Sequence, residues 1–140
     1  MPVTVVFDAV TVRDDLQKSH FERGMGFLLN GVWQEKETEP KTVSGNRPSS
    51  YRSWVTKDGS PGPTGSGGFK AEAGRYHLYV NYVCPFAHRT LIMHHLKGLK
   101  DIVSVSVTHF VNGEQGWTFQ EGPGLTPDHL FGSKCLHEVR

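Results

Sequence analysis

An α/β fold built around a βαβ unit is what the chain predicts, and three runs carry that reading. Tyr76-His77-Leu78-Tyr79-Val80-Asn81-Tyr82 is rich in β-formers and has the length of a strand. From Phe86 to Lys97 the apolar residues Ala87, Leu91, Ile92 and Leu96 recur near helical spacing, with Met93 adding bulk. Ile102 to Thr108 then alternates polar residues around Val103, Val105 and Val107, the pattern of a second strand. Strand, helix and strand in quick succession imply a right-handed crossover between parallel strands.

The helix boundaries have chemical reasons. Pro85 suits the first helical position, where its missing N–H costs nothing. Lys97 followed by Gly98 is a stop signal, a cation in the last turn and then a residue free to take positive φ. Beyond the second strand, Asn112-Gly113, Gly116 and Gly122-Pro123-Gly124 announce loops. Asp128 to Val139 is expected to form a short helix on Leu130, Phe131, Cys135, Leu136 and Val139, with Asp128 as N-cap.

Upstream, residues 1–74 read as a long, irregular, loop-rich arm, and residues 75–140 as the patterned body. The Ser60-Pro61-Gly62-Pro63-Thr64-Gly65-Ser66-Gly67-Gly68 stretch is expected to hold no regular element. The rings of Phe27, Trp33, Tyr51, Trp54 and Phe69 are expected to pin the arm, because each offers a large apolar area.

Composition narrows the function classes. With 140 residues there is room for one ordinary domain, and 16 Gly with 8 Pro point to much loop. Lys plus Arg (15) nearly balances Asp plus Glu (14), so no net field draws nucleic acid or an anionic membrane. No apolar run approaches the ~18 residues of a spanning helix. Met1 to His20 carries Asp8, Asp14 and Asp15 without an apolar core, which argues against a leader peptide. Two widely spaced cysteines make no disulfide framework, so a reducing, cytoplasmic setting is expected. The 8 histidines offer no tight ligand spacing, and no metal is expected.

Cys84 is the candidate nucleophile. It stands between a strand and a helix, where unpaired backbone N–H groups and the helix dipole favour negative charge. A thiol so placed is expected to be reactive near neutral pH. His88, four residues on, could lie one turn away and support the thiolate, as could Arg89. Cys135, on the apolar side of its expected helix, reads as core. Ala87 occupies the place where a dithiol oxidoreductase keeps its resolving cysteine, so an outside thiol must resolve Cys84.

Cys84-Pro85-Phe86-Ala87-His88-Arg89-Thr90, Gly116-Trp117-Thr118-Phe119 and Gly122-Pro123-Gly124-Leu125-Thr126-Pro127-Asp128 together resemble the glutathionyl-hydroquinone reductases, the xi-class, omega-like glutathione transferases. Asn30-Gly31-Val32-Trp33 and Leu136-His137-Glu138-Val139 fit the same family. The resemblance implies a thioredoxin-like domain, here its amino-terminal portion only, ahead of a helical domain absent from this sequence. It also implies Cys84 as nucleophile, Trp117 and Phe86 beside bound glutathione, and Phe86 standing where many members have Trp. Glutathione would be a substrate, glutathionylated quinones the partners, and the full-length protein a homodimer. An omega-type thiol transferase or dehydroascorbate reductase uses the same cysteine, and a truncated non-catalytic fragment is the third alternative.

Overall fold

The computed structural model describes the backbone of residues 3–6 and 27–29 and, with their side chains, residues 32–34, 53–63 and 67–139. Strand β6 (Tyr76–Val80) is buried along its whole length and forms the centre of a three-stranded sheet. On one side it pairs in parallel with β7 (Val103–Val107), Leu78 opposite Val105 and Val80 opposite Val107. Between them runs α1 (Pro85–Leu96), so the expected βαβ unit is present with its ends within a residue or two of those the sequence predicts. Gly98, at φ +64°, donates its N–H to the His95 carbonyl and ends the helix as the Lys-Gly signal implied.

Alternation along β6 and β7 separates two faces. Leu78, Val80 and Val107 join Cys84 and Ala87 in the apolar core, with Phe86, Leu91, Val103, Val105 and Leu125 packed against it. Each buried Leu or Val contributes about 1.5–3 kcal/mol there. The helix is less amphipathic than its sequence suggested. Ala87 is its one buried residue, and Ile92, Met93 and Leu96 are exposed.

Two expectations need correction. First, the segment read as an irregular arm gives strands. β1 (Val3–Val6) pairs in parallel with the free edge of β6, Val5 opposite Leu78. Its Val-Thr-Val-Val sequence is β-branched throughout, which suits that edge, but four residues are too few to stand out as a pattern. β2 (Phe27–Leu29) and β3 (Val32–Gln34) form an antiparallel hairpin, and β4 (Trp54–Thr56) pairs in parallel with β5 (Gly68–Lys70). Ser60 to Pro63 holds no regular element, whereas Gly68 starts a strand; residues 64–66, Tyr51 and the Phe27 side chain lie outside the described residues.

Second, Asp128 to Val139 does not form the expected helix; it contains only a 3₁₀ turn at Leu136–Glu138. The Asp128 carboxylate does accept backbone N–H groups, from Leu130, Phe131 and Ser133 at 3.1, 3.3 and 3.0 Å. That closes a single turn rather than starting a helix, because Gly132 takes φ +66° and reverses the chain. Among the described residues no helix is long and apolar enough to cross a membrane.

Candidate functional site

The turn that carries Cys84 is held from inside by Asn81. The Asn81 side chain, 5% exposed, donates to Thr108 Oγ1 at 3.0 Å and to the His109 carbonyl at 2.7 Å. Its Oδ1 accepts the Val83 N–H at 2.9 Å, and its backbone carbonyl accepts the Cys84 N–H at 3.2 Å. Asn81 is not among the residues that sequence reasoning singles out. The signal for it is an asparagine at a strand end, a residue type suited to such an Asx turn.

Cys84 is the N-cap residue of α1, with extended backbone (φ −87°, ψ 117°), and Pro85 follows it. Its carbonyl accepts the His88 N–H at 3.1 Å, the first bond of the helix. The side chain makes no capping bond, and no acidic residue sits in the first turn, so no carboxylate competes for the free N–H groups there. The residue is only 6% exposed, with its thiol set among Leu78, Val80, Ala87 and Val107.

The other expected site residues divide. Phe86 packs against the Cys84 cluster, and Arg89 lays its guanidinium over the Phe86 ring, 4.7 Å from the centroid. His88 and Arg89 are both exposed on the first turns of the helix. Trp117 is half-buried in a different part of the chain, the loop after β7, where its carbonyl accepts the Leu136 N–H at 2.8 Å. Helix start and loop are therefore two separate contributions to the candidate site.

That loop is anchored by Trp33 from the β3 strand. Trp33 Nε1 donates to the Glu114 carbonyl at 3.1 Å, and its ring stacks on His137 at 4.5 Å. His137 Nδ1 meets the Gln115 carbonyl at 3.0 Å. Gly116, at φ +72°, lies under the indole; a Cβ there would come within 2.8 Å of the Trp33 ring.

Beneath the sheet lies a polar network that composition did not disclose. Buried His77 is held between the exposed Ser104 Oγ (2.6 Å) and the buried Ser106 Oγ (2.9 Å), so the inner serine of the alternating strand faces a partner rather than water. Burial lowers the His77 pKa, against an opposing pull from Asp128 and with a smaller push from His129. Tyr79 donates its hydroxyl to Asp128 at 2.6 Å. Burial opposes the charge on Asp128, but the hydrogen bonds from Tyr79, Ser133 and Leu130 outweigh it and bring the pKa down to about 2. Burial and the Asp128 carboxylate raise the Tyr79 pKa.

Cys135 is half-buried, and burial, with Glu138 nearby, pushes its thiol pKa up. A cavity of about 460 Å³ opens beside it, lined by Thr118, Phe119, Asp128 and Ser133. Cys135, His137 and Glu138 bring ligand-type atoms within 4.8 Å of one another, a grouping that sequence spacing had not suggested. Glu138 Oε2, however, already accepts the N–H groups of Lys134 and Cys135 at 2.8 and 3.0 Å, so this carboxylate acts as a cap.

No family model matches the chain. Glutathionyl-hydroquinone reductase YqjG of Escherichia coli is 49% identical over 119 residues, 82% of this chain and 36% of that protein. The match extends to structure. The glutathione-bound structure of YqjG superposes with a TM-score of 0.64 at 47% identity, over 80% of this chain and 32% of that one. This segment is related to the glutathionyl-hydroquinone reductases. PcpF of Sphingobium chlorophenolicum, another glutathionyl-hydroquinone reductase, is 40% identical over 118 residues, 82% of this chain and 34% of its own. A xi-class glutathione transferase from Natrialba magadii superposes with a TM-score of 0.63 at 42% identity, over 81% of this chain and 32% of its own. The chain thus has the thioredoxin-like fold of glutathione transferases in part, and spans about a third of the length of these relatives. Its relatives are enzymes of glutathione chemistry.

Proposed function

We propose that this segment supplies the thiol of a glutathione-dependent reductase acting on glutathionyl-hydroquinones. Cys84 thiolate attacks the glutathione sulfur of the substrate, and a Cys84–glutathione disulfide forms as the carbon–sulfur bond breaks. The released electron pair goes to the ring carbon, which takes a proton, leaving the hydroquinone. A second glutathione thiolate then attacks the mixed disulfide, forming glutathione disulfide and returning Cys84 as thiolate. The observation that carries this reading is Cys84 at the N-cap of α1, ahead of Pro85 and on a turn braced by Asn81.

A sulfur with 6% of its residue exposed favours a reactant held in line over one met by collision. Trp117 and Phe86 are the residues we assign to glutathione, the indole offering a flat wall and one N–H donor. Arg89 would supply positive charge near the helix start, with His88 beside it as the other residue assigned to support the thiolate. Residues 75–140 would then be part of the thioredoxin-like domain, preceded by the 1–74 arm.

The test is Cys84→Ser in the full-length protein. Hydroquinone release should fall to background, and the glutathione adduct seen at this position by mass spectrometry should vanish. Normal turnover in that variant would remove Cys84 from the mechanism.

A further inference from the structure

We infer that Trp33 is a positioning residue for Trp117, acting through the Gly113–Gly116 turn; the proposal rests on the assignment of Trp117 to glutathione. The turn is closed by two backbone bonds between Gly113 and Gly116, at 3.1 and 3.0 Å. Its outward carbonyls are taken one each by two stacked rings. Trp33 Nε1 holds Glu114, and His137 Nδ1 holds Gln115. The rings lie 4.5 Å apart at 18°, so moving one disturbs the other's grip. Gly116 is buried and has no Cβ, which lets the indole seat directly on the chain one residue before Trp117.

On the far side of Trp117 the hold continues. The Trp117 carbonyl accepts the Leu136 N–H at 2.8 Å, and Leu136 precedes His137. Trp117 is therefore fixed between a turn gripped by Trp33 and a strand-like contact that leads into the second ring. The sequence separation of 81 residues between Trp33 and Glu114 brings the β2–β3 hairpin into this geometry from outside the βαβ unit. By gripping that turn, Trp33 orients the wall against which glutathione is proposed to lie.

The experiment is a double-mutant cycle on the full-length protein, read as KM for glutathione, kcat and amide exchange at Gly116 and Leu136. Trp33→Phe keeps a ring for stacking and deletes the donor to Glu114. It should raise KM about fivefold, the worth of one lost hydrogen bond, with kcat at saturating glutathione within about twofold. Exchange at Gly116 and Leu136 should speed up in the same variant. Trp117→Ala should raise KM by itself, and Trp33→Phe added to it should have no further effect. Unchanged KM in Trp33→Phe, with Trp117→Ala still impaired, overturns the positioning role and leaves the glutathione assignment standing. Fully additive effects overturn it as well, because Trp33 would then act by another route. Unchanged KM in Trp117→Ala removes the assignment and the positioning role together.

Discussion

The two faces of the central sheet are held by different physics. On the helix side, Leu78, Val80 and Val107 meet Cys84 and Ala87 with no hydrogen bond between side chains, and burial alone secures them. On the loop side, His77 and Tyr79 from the same strand are tied to Ser104, Ser106 and Asp128 by directed bonds. The apolar face tolerates small shifts at modest cost; the polar face does not, because an unpaired buried donor or acceptor costs more than the bond contributed. The candidate thiol sits on the first face, and the segment carrying Trp117 folds back over the second. Each half of the proposed site thus inherits the mechanical character of the face it rests on.

Substitutions that load one face and spare the other test this contrast, and the apolar side should give the largest effect. Leu78→Ala should destabilise by about 3 kcal/mol in urea titration, through lost burial plus a cavity. A loss under about 1 kcal/mol would mean that the helix side is loosely packed. Asp128→Asn should cost about 2 kcal/mol, since a neutral amide cannot serve the Tyr79 hydroxyl and three N–H groups as the carboxylate does. The same group predicts an acid limb. Its folded pKa of about 2 lies below the unfolded 3.8, so the carboxylate's contribution is complete above pH ~4 and is lost as pH falls toward 2. Urea midpoints followed across that window should flatten in Asp128→Asn.

A smaller effect belongs to Tyr79→Phe, which keeps the ring against Phe119 and removes only the hydroxyl, for about 1 kcal/mol. His77 adds a second, milder pH response. Its folded pKa lies below 6.5, so stability is complete above about pH 6.5 and declines as pH drops toward that lower folded value. His77→Gln should abolish this decline; its persistence would place the titrating group elsewhere. Smallest of all, Leu96→Gln should change stability by less than about 0.5 kcal/mol, because Leu96 is 70% exposed on the outer side of α1. A larger loss would show that this side of the helix is covered.

Legibility in the sequence follows the range of the interactions. The strand of Tyr76–Val80, the helix from Pro85 and the Val-Ser-Val-Ser-Val strand are fixed by neighbours one to four positions apart, and all three are readable. Cys84 is readable for the same reason, since strand end, thiol and Pro85 are contiguous. The absent helix after Asp128 shows the limit of local signals. An N-cap residue, apolar spacing and a glycine are all present, yet the carboxylate closes one turn and Gly132 turns the chain away. The edge strand Val3–Val6 escapes a sequence reading because its partner lies some seventy residues on, at Tyr76–Tyr79.

By itself, the order of residues determined the strands at Tyr76–Val80 and Val103–Val107, the helix between them and which thiol heads it, since those choices are settled by local backbone energetics. Only the tertiary structure decided what each inward polar group would meet. His77 finds Ser106 across 29 positions, Tyr79 finds Asp128 across 49, and Trp33 finds Glu114 across 81. The physical reason is that a buried polar group takes whichever partner chain closure brings within about 3 Å, and closure over such separations belongs to the whole fold.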